Sequence, residues 1–299
     1  MYSNEEFKLE ANVERIVCEV VSSIISSPPH FQCSMACFNL ITTFSHLPPS
    51  SSFTIISSLL QFGVMESLFR TLEFCVLDDW LEDEKEEEES SLLLLGCLRA
   101  IQSLCFNSLG QVEIMEGGSS TKDNDEEDGD NWLLMILDLL NSIYPSFHQQ
   151  KTSSSNLSHL FLILTRICGV IHNLSSSPFS SHLLSPSLTI IIPLFIELAS
   201  SDSNLDPVIE ENEEEINVER KLKEKDELIF YLIGILQNLS RNVALSKQIL
   251  SWKKDDEEKE DCDGDCSLIQ TILEMISNPT SSIDLQVLFK INFDLYIVY

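Results

Sequence analysis

Asp261–Cys262–Asp263–Gly264–Asp265–Cys266 brings carboxylates and thiols together much as a metal loop would. Calcium takes oxygen ligands from alternate positions of a twelve-residue loop, with glycine at the sixth position and a bidentate glutamate at the twelfth. Counted from Asp261, those positions hold Cys266 and Ile272, so the pattern fails. Zinc fails as well, because Cys262 and Cys266 have no second Cys or His pair nearby. Asn124–Met135 has Gly129 at the sixth position but Met135 at the twelfth, which leaves a solvated acidic loop. His30, His46, His148, His159, His172 and His182 fall at no metal-ligand spacing. A phosphate-binding glycine loop, a dinucleotide fingerprint and a His-Glu-x-x-His helix are all absent. These residues imply no metal, no cofactor and no catalytic group, and point to a non-enzymatic chain.

Charge is the next constraint. The net charge is −30 over 299 residues. Of the 48 acidic residues 34 lie in four windows, 78–89, 123–130, 202–227 and 254–265, together with 7 of the 18 basic residues. The rest of the chain is nearly neutral. Blocks of like charge repel themselves and stay solvated, so the windows read as acidic loops. They suit a basic protein or peptide partner. They disfavour DNA, RNA or an anionic membrane, each of which is bound through phosphates. The longest apolar run of interest, Leu188–Ala199, is shorter than the roughly 20 residues a bilayer requires. The first residues have no apolar leader segment. Nine cysteines, scattered among apolar residues, suit reduced thiols in the cytosol or the nucleus.

The elements that position polar residues repeat. Leu98–Met115, Ile167–Leu184 and Ile233–Leu250 read as copies: an apolar helical stretch, a short polar break, then a second small apolar stretch. Apolar residues elsewhere also fall at helical spacing, and alternating strand patterns are scarce. The pattern predicts helices over 5–26 and 31–45, and repeat units of three segments thereafter. These are 53–62, 64–75 and 91–106; then 110–116, 132–143 and 157–175; then 179–184, 188–200 and 227–241; then 243–250, 267–277 and 282 onward. Phe44, Leu104, Leu174 and Leu239 anchor the units at intervals of 60, 70 and 65 residues. The excess over the roughly 40–47 residues of common two- or three-helix repeats falls in the loops 77–90, 118–131, 145–156, 201–226 and 251–266.

Gly63, between two apolar helical stretches, and the endings His172–Asn173–Leu174 and Gln237–Asn238–Leu239 carry a resemblance. The chain resembles the armadillo repeat, in which a short helix ends near a glycine and a third helix closes in Asn-Leu. Ser103–Leu104 and Thr43–Phe44 are more degenerate versions of that ending. The resemblance implies an all-α, right-handed solenoid of four to five degenerate units. That would be a single domain over 1–299, with 77–90, 118–131, 201–226 and 251–266 as acidic flexible inserts. It also implies a scaffold or adaptor whose third helices line a concave groove for a protein segment. Asn173 and Asn238 would contact the peptide backbone, with Arg70, Arg99, Arg166 and Arg241 along the same groove. A side-chain amide both donates and accepts, as an extended peptide requires. Nuclear-localisation-signal receptors of this family place a Trp one turn before the Asn. Gly169 and Gly234 stand there in this chain, so that specific function is not implied. Replacing both asparagines is expected to weaken binding and leave stability nearly unchanged. The competing expectation is a HEAT-like subunit of a larger assembly, docking through Ser282–Tyr299, an apolar tail where a solenoid would carry a polar cap.

Overall fold

A computed structural model of the chain describes residues 4–26, 30–77, 84–117, 131–149, 154–177, 180–199, 215–252 and Leu268. Every regular element among them is a helix. In order they are α1 (Asn4–Ile25), α2 (Phe31–Ser45), α3 (Pro49–Gln61), α4 (Val64–Leu77), α5 (Glu84–Cys105), α6 (Ser108–Glu116), α7 (Trp132–Gln149), α8 (Ser154–Ser175), α9 (Leu188–Ala199), α10 (Glu215–Ser240) and α11 (Val243–Leu250). A single 3-10 turn, Ser185–Ser187, precedes α9. The chain divides into two compact units, Met1–Leu139 and Leu140–Tyr299.

In the first unit, α2 and α5 make the most extensive pairing, followed by α4 with α5. The buried stripe of α5 is Leu94, Cys97, Leu98, Ile101, Leu104 and Cys105, spaced three and four apart so that all face one side. Gly96 lets α2 come close: a Cβ there would lie 2.7 Å from Met35 Sδ and 2.9 Å from Phe38 Cδ2. Phe69 of α4 stacks flat on Trp132 at the start of α7, with ring centroids 5.0 Å apart. The chain turns between α3 and α4 at Gly63, whose φ of 72° is the left-handed conformation that side chains resist. The sequence placed a turn at this glycine for that reason.

In the second unit, α8 and α10 make the most extensive pairing. Buried Ile163, Leu164, Ile167, Cys168, Ile171 and Leu174 of α8 face the unit's interior, as do Leu228, Leu232, Ile235 and Leu239 of α10. Seven of the twelve residues of α9 are buried.

One backbone turn closes four of the helices at the anchors read from the sequence. The N–H three residues after the anchor donates to the anchor's carbonyl. The pairs are Leu47 to Phe44 (3.2 Å), Asn107 to Leu104 (3.1 Å), Ser177 to Leu174 (3.1 Å) and Asn242 to Leu239 (3.0 Å). After two of these turns an asparagine caps the next helix. Asn107 Oδ1 accepts from the Leu109 N–H, and Asn242 Oδ1 from those of Ala244 and Leu245, satisfying donors that a helix start leaves orphaned.

Three boundaries differ from the sequence reading. The helices α5 and α10 begin at Glu84 and Glu215, so helix runs back into two acidic windows expected to be loop. Glu and Lys are good helix formers, and each segment extends a helix already fixed by its buried stripe, so no new nucleus is required. α7 runs on to Gln149, past the expected end at 143, with Pro145 inside it. Pro145 has no N–H to donate to the Asn141 carbonyl, and Pro193, inside α9 as expected, none for that of Thr189; both of these residues are exposed. Residues 180–184 form turns rather than a short helix. The Asp261–Cys266 loop, most of Asn124–Met135 and the Ser282–Tyr299 tail lie outside the described residues.

Candidate functional site

Residues one, five, eight and twelve before an anchor share one helix face. On α8 these are Asn173, Gly169, Arg166 and Leu162; on α10 they are Asn238, Gly234, Tyr231 and Glu227. Side chains from both stripes meet. Arg166 Nη1 donates to Glu227 Oε1 at 2.7 Å and Nη2 to Oε2 at 3.3 Å, a two-pronged ion pair. Its side chains retain only 22% and 33% of their exposure, so water screens the pair less than an open surface bridge. The Tyr231 hydroxyl donates to the same Oε1 at 3.0 Å. Two turns beyond Tyr231, Asn238 Nδ2 donates to Ser175 Oγ at 3.1 Å, and beyond the helix ends Asn242 Nδ2 donates to Ser181 Oγ at 3.4 Å. The paired residues are 61, 63 and 61 positions apart in sequence. A near-constant offset means that α8 and α10 run parallel.

His172 sits in the middle of this seam. Its ring centroid is 5.7 Å from those of both Phe230 and Tyr231, which are themselves 5.6 Å apart. Gly234 faces it: a Cβ there would lie 2.3 Å from His172 Cδ2 and 2.4 Å from Nε2. The absence of a side chain at Gly234 is thus what lets the imidazole lie on α10. The Nδ1 atom is buried without a hydrogen-bond partner. Burial pushes the imidazole below its ordinary pKa of 6.5, and the neighbouring Asn173 amide offsets this in part.

The residues proposed from sequence therefore meet different fates. Asn173, Asn238 and Arg166 lie on the α8–α10 strip, all half-buried. Asn238 also ties the two helices together through its hydrogen bond to Ser175, a structural tie that the sequence reading did not include. Arg241 is exposed in the turn after α10. In the first unit Arg99 is exposed on α5, and Arg70 pairs with Glu66 of its own helix at 2.6 Å. Sequence reasoning missed Glu227, Tyr231, Phe230 and Ser175. Glu227 had been counted within an acidic window; its spacing of four from Tyr231 and eleven from Asn238 was the available signal.

Among the described residues no group of three His, Cys, Asp or Glu is placed to hold a metal ion. The buried thiols are held protonated: desolvation raises the pKa of Cys97 and Cys105, and pushes Cys168 up to about 12. No single helix among the described residues is long and apolar enough to cross a membrane. Compared with protein-family models, curated proteins and solved structures, the chain shows no match to any of them.

Proposed function

We propose that this chain is a non-enzymatic protein-binding scaffold of armadillo-like helical repeats. It holds an extended protein segment along the strip formed by Asn173 and Arg166 of α8 and Asn238, Tyr231 and Glu227 of α10. The observation that carries this reading is the parallel pairing of α8 and α10 at a nearly constant offset, with amides, a guanidinium, a phenol and a carboxylate on one half-exposed stripe. Such a stripe offers both donors and acceptors to a peptide backbone. The common closing turn at Phe44, Leu104, Leu174 and Leu239 supports the repeat reading independently. With a net charge of −30, the chain draws basic partners, an effect that raises association rate and makes binding salt-dependent.

The test is binding of the full chain to arrayed extended peptides, Lys/Arg-rich against acidic ones of equal length, at several ionic strengths. Basic peptides are expected to bind and to weaken as salt rises. Asn173→Ala with Asn238→Ala should weaken them several-fold. Ser175→Ala breaks the same interhelix hydrogen bond but keeps both amides, and should bind nearly as the parent does. Equal loss in both variants would show that the asparagines only hold the seam. Salt-independent association unaffected by either would point instead to end-on docking in an assembly.

A further inference from the structure

We propose that His172 makes the α8–α10 seam proton-sensitive: the seam is closed when the imidazole is neutral and loosens when it takes up a proton. Three geometric facts carry this. The ring lies against α10, in the space a Gly234 Cβ would take and 5.7 Å from the rings of Phe230 and Tyr231. Its Nδ1 has no partner, and its Nε2 faces the Gly234 backbone. Among the described residues it makes no ion pair with a carboxylate; on the same stripes Glu227 pairs with Arg166, and Tyr231 donates its hydroxyl to Glu227.

A protonated imidazole needs acceptors for two N–H groups; Nδ1 has no partner here, and the one side chain that favours the charged ring, the Asn173 amide, offsets burial only in part. A charge buried with an unmet donor is costly. Contact with two tilted rings offsets only part of that cost, since neither presents its face squarely to the imidazole. The direction of the histidine's shift agrees. A histidine whose folded pKa lies below its unfolded value leaves stability intact above about pH 6.5 and loses it as pH falls from there through the folded value. Since the residues that pair across the seam are those of the binding strip, acid should loosen the strip. The inference about the seam itself does not depend on what the strip binds.

The experiment is amide hydrogen exchange on the full chain at pH 7.5 and 5.5, corrected for intrinsic rates. Amides of 163–174 and 228–239 are expected to exchange several-fold faster at the lower pH, while those of α2 and α5 in the first unit hold their protection. Ordinary carboxylates stay ionised over this range, with pKa values of about 4. Glu113, raised by burial, lies on α6 in the first unit and is distinguished by location. His172→Phe and His172→Gln, neither able to titrate, should abolish the excess. An acid response that persists in both variants overturns the proposal. Should neither variant fold, the imidazole resonances of the unaltered protein decide: a His172 midpoint below 6.5 supports the proposal and one at or above 6.5 overturns it.

Discussion

Gly234 of α10 lies directly against the imidazole of His172 of α8, and no side chain larger than hydrogen fits between them. In an ordinary exposed helix, Gly→Ala would stabilise by about 0.5–1 kcal/mol. Here the added methyl meets Cδ2 and Nε2 at 2.3 and 2.4 Å, and overpacking costs about 1–3 kcal/mol. The overpacking term wins, so Gly234→Ala should lower stability by about 1–2 kcal/mol, read from chemical denaturation. Pairing it with His172→Ala, which empties the space, should recover much of the loss. Recovery absent in the double variant would place the clash elsewhere.

The Arg166–Glu227 pair joins the same two helices by charge. Removing Glu227 leaves Arg166 without its carboxylate, and removing Arg166 leaves Glu227 only the Tyr231 hydroxyl, at a cost of about 1–2 kcal/mol for this half-buried pair. A double-mutant cycle of Arg166→Ala and Glu227→Ala should give a favourable coupling energy that shrinks as salt rises. Tyr231→Phe should cost less, since Glu227 keeps both bonds from Arg166.

The two asparagine caps should behave alike although they sit in different units. Asn107→Ala and Asn242→Ala are each expected to cost about 1 kcal/mol, and the corresponding aspartates far less, because a carboxylate oxygen also accepts from the helix start. Circular dichroism melts of the four variants check this. A large loss from Asn107→Asp would mean that another role of the side chain dominates.

Thiol reactivity should follow burial. Cys33 is exposed on α2, whereas Cys97, Cys105 and Cys168 are buried with pKa values raised by desolvation. At pH 8, iodoacetamide followed by peptide mass mapping should modify Cys33 and spare those three until denaturant is added. Raising the pH to 9.5 should still leave Cys168, whose pKa is about 12, unreactive.

The sequence by itself determined what is local. Helical spacing of apolar residues fixed the all-helical class, because period alone decides which side chains share a face. It located the turn at Gly63, where backbone geometry requires glycine. It also located the four anchors, since the turn that closes each helix is made within three residues of Phe44, Leu104, Leu174 or Leu239. It misread the starts of α5 and α10: a run of glutamates repels itself as a free loop, yet it continues a helix once a buried stripe downstream supplies the nucleus.

Tertiary structure decided everything that joins residues some sixty positions apart. Arg166 and Glu227, Ser175 and Asn238, and His172 and Gly234 carry no local mark of one another in the sequence. Each pair exists only because α8 and α10 lie parallel at one particular offset, and that offset is set by the packing of buried Leu and Ile side chains along both helices. A shift of one residue would rotate each helix by about 100° and part every one of these pairs.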